Sequence, residues 1–315
     1  MTATERRAGR RRAVALLAAA GLPWSWFAVR DLAPLLDVVA TGLPAVVAGV
    51  AALAAAVAVV ARRGAFAVLA ASTVAMGAVA VLGPWAPAGG PEPAAPIRVV
   101  SVNAYAGNPT PDEAAADVRA QGADVVVVVE GPAGLPERLE DGFPHSAFAS
   151  GAGHTVFSRF PLRLSEPPGG LADDRVARWE VSPPSGPVVL YTVHLRRPRP
   201  RDGAVRVPLA RQGAAVDALL EAVARESSPT VVVGDFNLSD RTTAYRRLDA
   251  ALRDAGRASW AGPTFVSLKY RPFLLRIDHV FVTRQWCAAG SGRFTIAGSD
   301  HRGVATEVGP CPGLR

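Results

Sequence analysis

The chain has 315 residues, half of them hydrophobic, with 34 Lys and Arg against 27 Asp and Glu and a formal charge of +7. That length holds one sizeable domain and something more. The basic surplus is shared: residues 1–96 carry eight arginines and four acids, and Ile97 onward carries 26 basic and 23 acidic residues, a near-neutral balance that argues against tight non-specific nucleic-acid binding.

Three apolar runs, 13–29, 35–61 and 64–85, fill the first 85 residues; only Asp37 interrupts the second, and the third has no charge. A bilayer span needs roughly 17 to 25 apolar residues, so residues 1–85 are expected to form a membrane anchor of three transmembrane helices. Arg6, Arg7, Arg10, Arg11 and Arg12 precede the first run, and Arg62 and Arg63 separate the second from the third. Positive charge stays in the cytoplasm, which puts everything after Trp85 outside the cell membrane. Trp24, Trp26 and Trp85 then fall near the outer ends, where indole rings favour the interface. A basic start followed by an apolar run also fits a cleaved signal peptide; two further spans close behind favour retention.

Residues 86–96, APAGGPEPAAP, hold no core-forming side chain and read as a Pro/Gly/Ala linker, a tether of about 35 to 40 Å at full stretch. The remainder, 97–315, alternates strands and helices. Strands are expected over 97–103, 124–130, 154–158, 176–181, 188–194, 230–233, 277–283 and 304–308. Helices are expected over 111–121, with Thr110 as N-cap before Pro111, and over 207–226. Mixed elements without a strict βαβ repeat predict an α/β fold of two packed sheets with outer helices. Cys287 and Cys311 lie in this external part, where an oxidising compartment permits a disulfide; two unpaired thiols fit the sequence equally.

Polar residues gather at the strand ends. Asn103 closes the first strand. Glu130 follows five consecutive valines, where a carboxylate is costly unless paired or metal-bound. His194 closes another strand. Asp235 and Asn237, in Gly-Asp-Phe-Asn, stand two apart, which on an extended segment puts both on one face. Asp278 and His279 are neighbours and point oppositely in a strand; Asp278 is expected to face the site and His279 the core. Asp300 and His301 follow Gly298-Ser299 in a turn where side chains splay, so Asp300 can bind metal while Asp278 orients His301. Carboxylates suit a hard cation, and a histidine paired with a carboxylate orients or deprotonates water. The set suits metal-assisted attack of water on a phosphate ester. Arg196, Arg197, Arg199 and Arg201 form either a solvated loop or a cationic rim for an anionic substrate or lipid headgroups. Residues 269–275, KYRPFLL, mix cations, rings and leucines, and read equally as core or as a contact for an acyl or isoprenoid chain.

In order and spacing, Asn103, Glu130, His194, Asp235-Phe236-Asn237, Asp278-His279 and Ser299-Asp300-His301 resemble the endonuclease/exonuclease/phosphatase superfamily, over about two thirds of the chain. Arg211-Gln212 is similar to the pair that often begins a helix in that family. The resemblance implies a four-layer α/β sandwich and Mg²⁺ or Mn²⁺ as cofactor. It implies Glu130 and Asp300 as metal ligands, Asp235 positioning the water, Asn237 and His194 at the phosphate, and Asp278 with His301 as an Asp-His pair; Asn103, in the same series, reads as a further site amide. Where some members carry an acid two residues after the first asparagine, this chain has Tyr105, which puts a second metal ligand there in doubt. With its three-span anchor, the whole chain resembles the membrane-anchored VanJ-type proteins associated with teicoplanin resistance. That implies an external phosphohydrolase acting on a polyprenyl diphosphate or related cell-wall lipid, with lipid-linked phosphate and membrane lipids as partners and no stable nucleic-acid partner. The alternatives are an extracytoplasmic nuclease and a non-catalytic domain binding a lipid intermediate or an antibiotic.

Overall fold

The computed structural model describes residues 3–33, 35–167, 171–197 and 206–313. Arg199 and Arg201 of the expected cationic rim lie outside them. Its internal contacts divide the chain into two units, 1–84 and 85–315.

The first unit is helical: α1 (Ala3–Gly21), α2 (Trp26–Val29), α3 (Leu35–Thr41), α4 (Leu43–Val60) and α5 (Gly64–Leu82). Three helical stretches, Thr4–Val29, Leu43–Val60 and Gly64–Trp85, are long and apolar enough to cross a membrane. The expected second span is shorter than the apolar run, because 35–61 is two helices. Gly42 sits at the N-cap of α4 and Pro44, which has no N–H to donate, falls in its first turn, so the helical ladder restarts there. Gly77 lets α5 approach α4 closely: a Cβ there would stand 2.6 Å from Val47 Cγ1.

In the second unit, β1 (Ile97–Asn103), α6 (Pro111–Arg119), β2 (Val125–Val129), α7 (Leu135–Glu140), β3 (His145–Ala149), β4 (His154–Ser158), β5 (Leu162–Ser165), β6 (Val176–Val181) and β7 (Val188–His194) come first. Then follow α8 (Arg206–Ala224), β8 (Thr230–Asp235), α9 (Thr243–Ala251), β9 (Arg253–Asp254), β10 (Asp278–Val282), β11 (Trp286–Thr295) and β12 (Arg302–Pro310). They build two six-stranded mixed sheets, ordered β11-β12-β1-β2-β4-β3 and β5-β6-β7-β8-β10-β9. Each has one parallel pair at its centre, β1 with β2 and β7 with β8, and is otherwise antiparallel.

Alternation along the strands sets the layers. In β2, Val125 and Val127 face the other sheet and meet Trp179, Leu190 and Val233; Val126 and Val128 face outward onto Ala114, Val118, Leu135 and Leu139 of α6 and α7. The outer face of the second sheet, with Tyr191, Val193 and Phe281, packs on Val216, Leu219 and Leu248 of α8 and α9. Each of these buried valines and leucines contributes about 1.5 to 3 kcal/mol of transfer free energy. The result is the expected four-layer α/β sandwich.

Residues 86–96 form no helix or strand, as their composition predicts, but they are not a free tether. Ala88 N–H donates to Arg257 O (2.8 Å), Ala94 N–H to Pro310 O (2.9 Å), and Arg257 Nε to Ala86 O (3.2 Å). A segment without core side chains still carries backbone donors and acceptors, and these hold it. Gly309 makes room, since a Cβ there would stand 2.6 Å from Ala95 O. Trp85, expected at a membrane interface, is instead buried in this unit and donates Nε1–H to Asp240 Oδ2 at 2.7 Å. Cys287 and Cys311 form a disulfide, with Cα atoms 4.9 Å apart, at one end of the β11–β12 hairpin.

Candidate active site

The register of the second sheet brings the first three groups together. His194, the last residue of β7, pairs with Asp235, the last of β8, and Asp235 pairs in turn with Asp278, the first of β10. Residues in one cross-strand row share a face, so three strand ends deliver a histidine and two carboxylates side by side. The row requires Gly234: its φ is +142°, and a Cβ there would fall 2.0 Å from Val193 O on the neighbouring strand.

Asp235 is the hub. It is 2 % exposed and its oxygens accept from Asn237 N–H (2.8 Å), Asn103 Nδ2 (3.0 Å) and Asn237 Nδ2 (3.3 Å). The Nε2 atoms of His194 and His301 both converge on its Oδ2, at 3.8 and 3.9 Å. Burial, reinforced by the Asp278 charge, raises its pKa to about 6. Asn237 reaches it differently from expectation. The chain leaves the strand at Phe236 and Asn237 has φ +49°, so the two side chains meet through an Asx-type turn, not across an extended segment. Both amide hydrogens of Asn237 are spent inside the protein, on Leu195 O (2.9 Å) and Asp235. Asn103 is likewise engaged, donating to Asp235 while its oxygen accepts from Tyr105 N–H. In this geometry the two amides hold Asp235 in place, and Asn237 also lines the cavity.

His301 Nδ1 lies 2.9 Å from Asp278 Oδ2, its backbone N–H donates to Ser299 Oγ, and its ring edge rests on Phe265 at 4.9 Å. Burial lowers its pKa, but the charge and hydrogen bond of Asp278 outweigh burial and raise it to about 9. His279, next to Asp278, points the other way. It is fully buried among Phe236, Tyr245 and Phe281, its Nε2 lies 3.1 Å from Leu238 O, and burial drops its pKa to about 4. Arg276, in the same short motif, is spent on a buried ion pair with Asp254 at 2.8 Å.

The other sheet contributes Glu130. It lies one residue past β2 in the left-handed region, φ +49°, and Oε1 meets His194 Nε2 at 3.1 Å. That hydrogen bond, against the opposing effect of burial, holds its pKa below the usual glutamate value. Glu130, His194, Asp235, Asn237, Asp300 and His301 all line one open cavity of about 470 Å³. Among the cavity residues that sequence reasoning missed are Arg175 and Phe265. Arg175 is brought beside His194 only by strand pairing, its carbonyl accepting His194 N–H at 3.0 Å, and Phe265 only by an isolated bridge to His301. Gln212 lies in the second turn of α8, not at its start, and supports the Asn237 turn by donating to Asn237 O at 2.9 Å.

The Endonuclease/Exonuclease/phosphatase family model matches residues 100–301, most of the second unit. The chain belongs to that family. A family member from Beutenbergia cavernae aligns with a TM-score of 0.50 and 22% identity, over 69% of this chain and 72% of that one. Humanized D. rerio TDP2 gives 0.51 and 14%, over 68% and 98%; SmcL gives 0.51 and 14%, over 67% and 98%. At these identities the likeness is one of fold. No curated protein matches the chain in sequence.

Members of the endonuclease/exonuclease/phosphatase superfamily are metal-dependent phosphoester hydrolases, and the donor set here suits a hard divalent cation. Two groupings offer themselves. Ligand atoms of Asp235, Asp278 and His301 all lie within 4.8 Å of one another. In that trio His301 Nδ1 already lies 2.9 Å from Asp278 Oδ2, which turns its Nε2 toward Asp235. Glu130 and Asp300 are partly exposed on the cavity wall, and Glu130 is held ionised. Both groupings offer the carboxylate oxygens that a hard divalent cation takes.

Proposed function

We propose that this chain is a membrane-anchored, metal-dependent phosphohydrolase whose catalytic unit lies outside the cytoplasmic membrane and acts on a polyprenyl diphosphate or related cell-wall lipid. The observation that carries the hydrolase reading is the convergence on Asp235 Oδ2 of His194 and His301, the second backed by Asp278. With its pKa near neutrality, Asp235 takes a proton from water while Asn103 and Asn237 fix its orientation. His301, kept cationic, faces the charge that gathers on the phosphate oxygens, and His194 is held for the same work by Glu130. A divalent cation at Glu130 and Asp300 would supply Lewis-acid neutralisation of phosphate charge.

Three features favour a lipid-borne substrate. Rings run outward from the site, His301 to Phe265 (4.9 Å), Phe265 to Tyr270 (5.6 Å) and Tyr270 to Phe273 (6.2 Å), toward the exposed Leu268 and Leu274. The external part has little excess positive charge. The three apolar helices suit membrane anchoring, and the disulfide suits an oxidising compartment. A role in glycopeptide resistance belongs to this proposal through the VanJ-type resemblance. The test is hydrolysis by the full-length protein in detergent, read as phosphate release from polyprenyl diphosphate, headgroup release from phospholipid and strand scission of DNA, each with Mg²⁺ and with EDTA. Mg²⁺-dependent release fastest from polyprenyl diphosphate is expected; faster cleavage of DNA would replace the lipid reading with a nuclease.

A further inference from the structure

The cavity carries three guanidinium groups that the mechanism above leaves unused: Arg175, Arg196 and Arg197. They come from one end of the sheet. Arg196 and Arg197 follow His194 by two and three residues. Arg175 immediately precedes Val176, which pairs with Val193, and its carbonyl caps His194 N–H. Phe265, Asp300 and His301 line the same cavity. All three arginines are exposed, and among the described residues none has a hydrogen-bond or ion-pair partner for its guanidinium. Two arginines away from the cavity are paired, by contrast: Arg178 with Glu226 at 2.8 Å and Arg276 with Asp254 at 2.8 Å. Arg175 also sits at φ +56°. A glycine would make that turn without the cost, of order 1 kcal/mol or more, that a side chain incurs there. What glycine would not provide is the cation facing the cavity.

We propose that Arg175, Arg196 and Arg197 form a second anion subsite that holds the non-reacting phosphate of a diphosphate ester, so that the site selects P–O–P substrates over phosphate monoesters and diesters. The proposal deepens the hydrolase reading and rests on it for the reacting phosphate. The chemistry balances without an added acid. The water oxygen bonds to the terminal phosphorus, the bond from that phosphorus to the bridging oxygen breaks, and the electron pair stays on the bridging oxygen of the inner phosphate. The water's proton passes to Asp235. The new charge on the departing phosphomonoester then lies against guanidinium groups that stay protonated across the working pH range. An alkoxide leaving group would require a proton; a phosphate does not.

Binding separates this subsite from the activity. Full-length protein in detergent with EDTA is titrated calorimetrically with methylenediphosphonate and with methylphosphonate, in about 0.5 M salt so that diffuse attraction between exposed charges is screened. The wild type is expected to prefer the diphosphonate by about 10-fold or more. Arg175→Ala and the double variant Arg196→Ala/Arg197→Ala should each cut that preference below about 3-fold, with Arg175→Lys recovering part of it; the double variant changes only exposed side chains and guards against misfolding. A wild type without the preference, or a preference that survives in both variants, overturns the subsite. Absent polyprenyl diphosphate hydrolysis with the preference intact removes the hydrolase reading and leaves the subsite standing.

Discussion

Asp278→Asn isolates the electrostatics of the site, because it removes one charge and keeps the shape. In the native protein His301 is almost fully buried, yet the carboxylates around it, Asp278 foremost, outweigh burial and raise its pKa from 6.5 to about 9. That difference corresponds to about 3 kcal/mol. The folded value lies above the unfolded one, so this stabilisation is complete below about pH 6.5 and is lost as pH rises through about 9. Part of it is offset, because Asp278 also repels Asp235. Removing the Asp278 charge should therefore cost about 1 to 3 kcal/mol at pH 6, and the gap between variant and wild type should close above pH 9. With burial then opposed only by the charges of Asp235 and Asp300, His301 should titrate well below its native value in the variant. The assay is NMR titration of the five imidazoles in EDTA-treated protein, with His301 assigned by His301→Gln, alongside urea unfolding at pH 6 and pH 10. Turnover should fall by about 10²-fold or more. A His301 that still titrates above 8 in the variant would refute the claim that Asp278 holds its proton.

Gly234→Ala should cost about 3 kcal/mol or more and give little folded protein by thermal melting, because its Cβ would collide with backbone, which cannot move aside. Reducing the disulfide, or Cys287→Ser with Cys311→Ser, should lower stability by about 3 kcal/mol for a 24-residue separation, read from urea midpoints; material isolated from the cell envelope should show no free thiol. Glu130→Ala and Asp300→Ala should each weaken Mg²⁺ binding by about 10-fold or more in calorimetric titration, and an unchanged affinity in both would move the cation elsewhere. Reporter fusions after Arg63 and after Pro96 should give opposite orientations; a cytoplasmic signal from the second would reverse the topology.

Elements whose sequence matches their environment were legible. Five valines in a row meet apolar layers on both faces of β2, and strand ends carrying Asn103, His194 and Asp235 could be placed because polar residues interrupt apolar runs there. β11 was not, since Trp-Cys-Ala-Ala-Gly-Ser-Gly-Arg-Phe-Thr holds two glycines and an irregular register between Ala289 and Gly292, and its pairing with β12 is what makes it a strand. α9 carried a readable signal, the Thr242 side chain capping Tyr245 N–H, but spans only nine residues. Within the site, the identity of the groups could be read and their couplings could not. That Asn103 and Asn237 both serve Asp235, and that Arg175 neighbours His194, depends on contacts between residues far apart in sequence or on a left-handed turn.

Trp85 and the segment after it bear on where the chain can be cut so that the second unit stays folded. A soluble fragment begun at Ile97, where the first strand starts, would strip away the indole on Asp240 and the backbone bonds to Arg257 and Pro310. It would open a gap over Gly309 and take from a buried carboxylate its shortest hydrogen bond. A fragment or a protease cut that preserves the folded unit has to fall before Trp85, within the Gly83-Pro84 step that follows the last apolar helix. Shedding of this unit would thus depend on access to two residues, and the eleven that look most cleavable in the sequence would resist for as long as the domain stays folded.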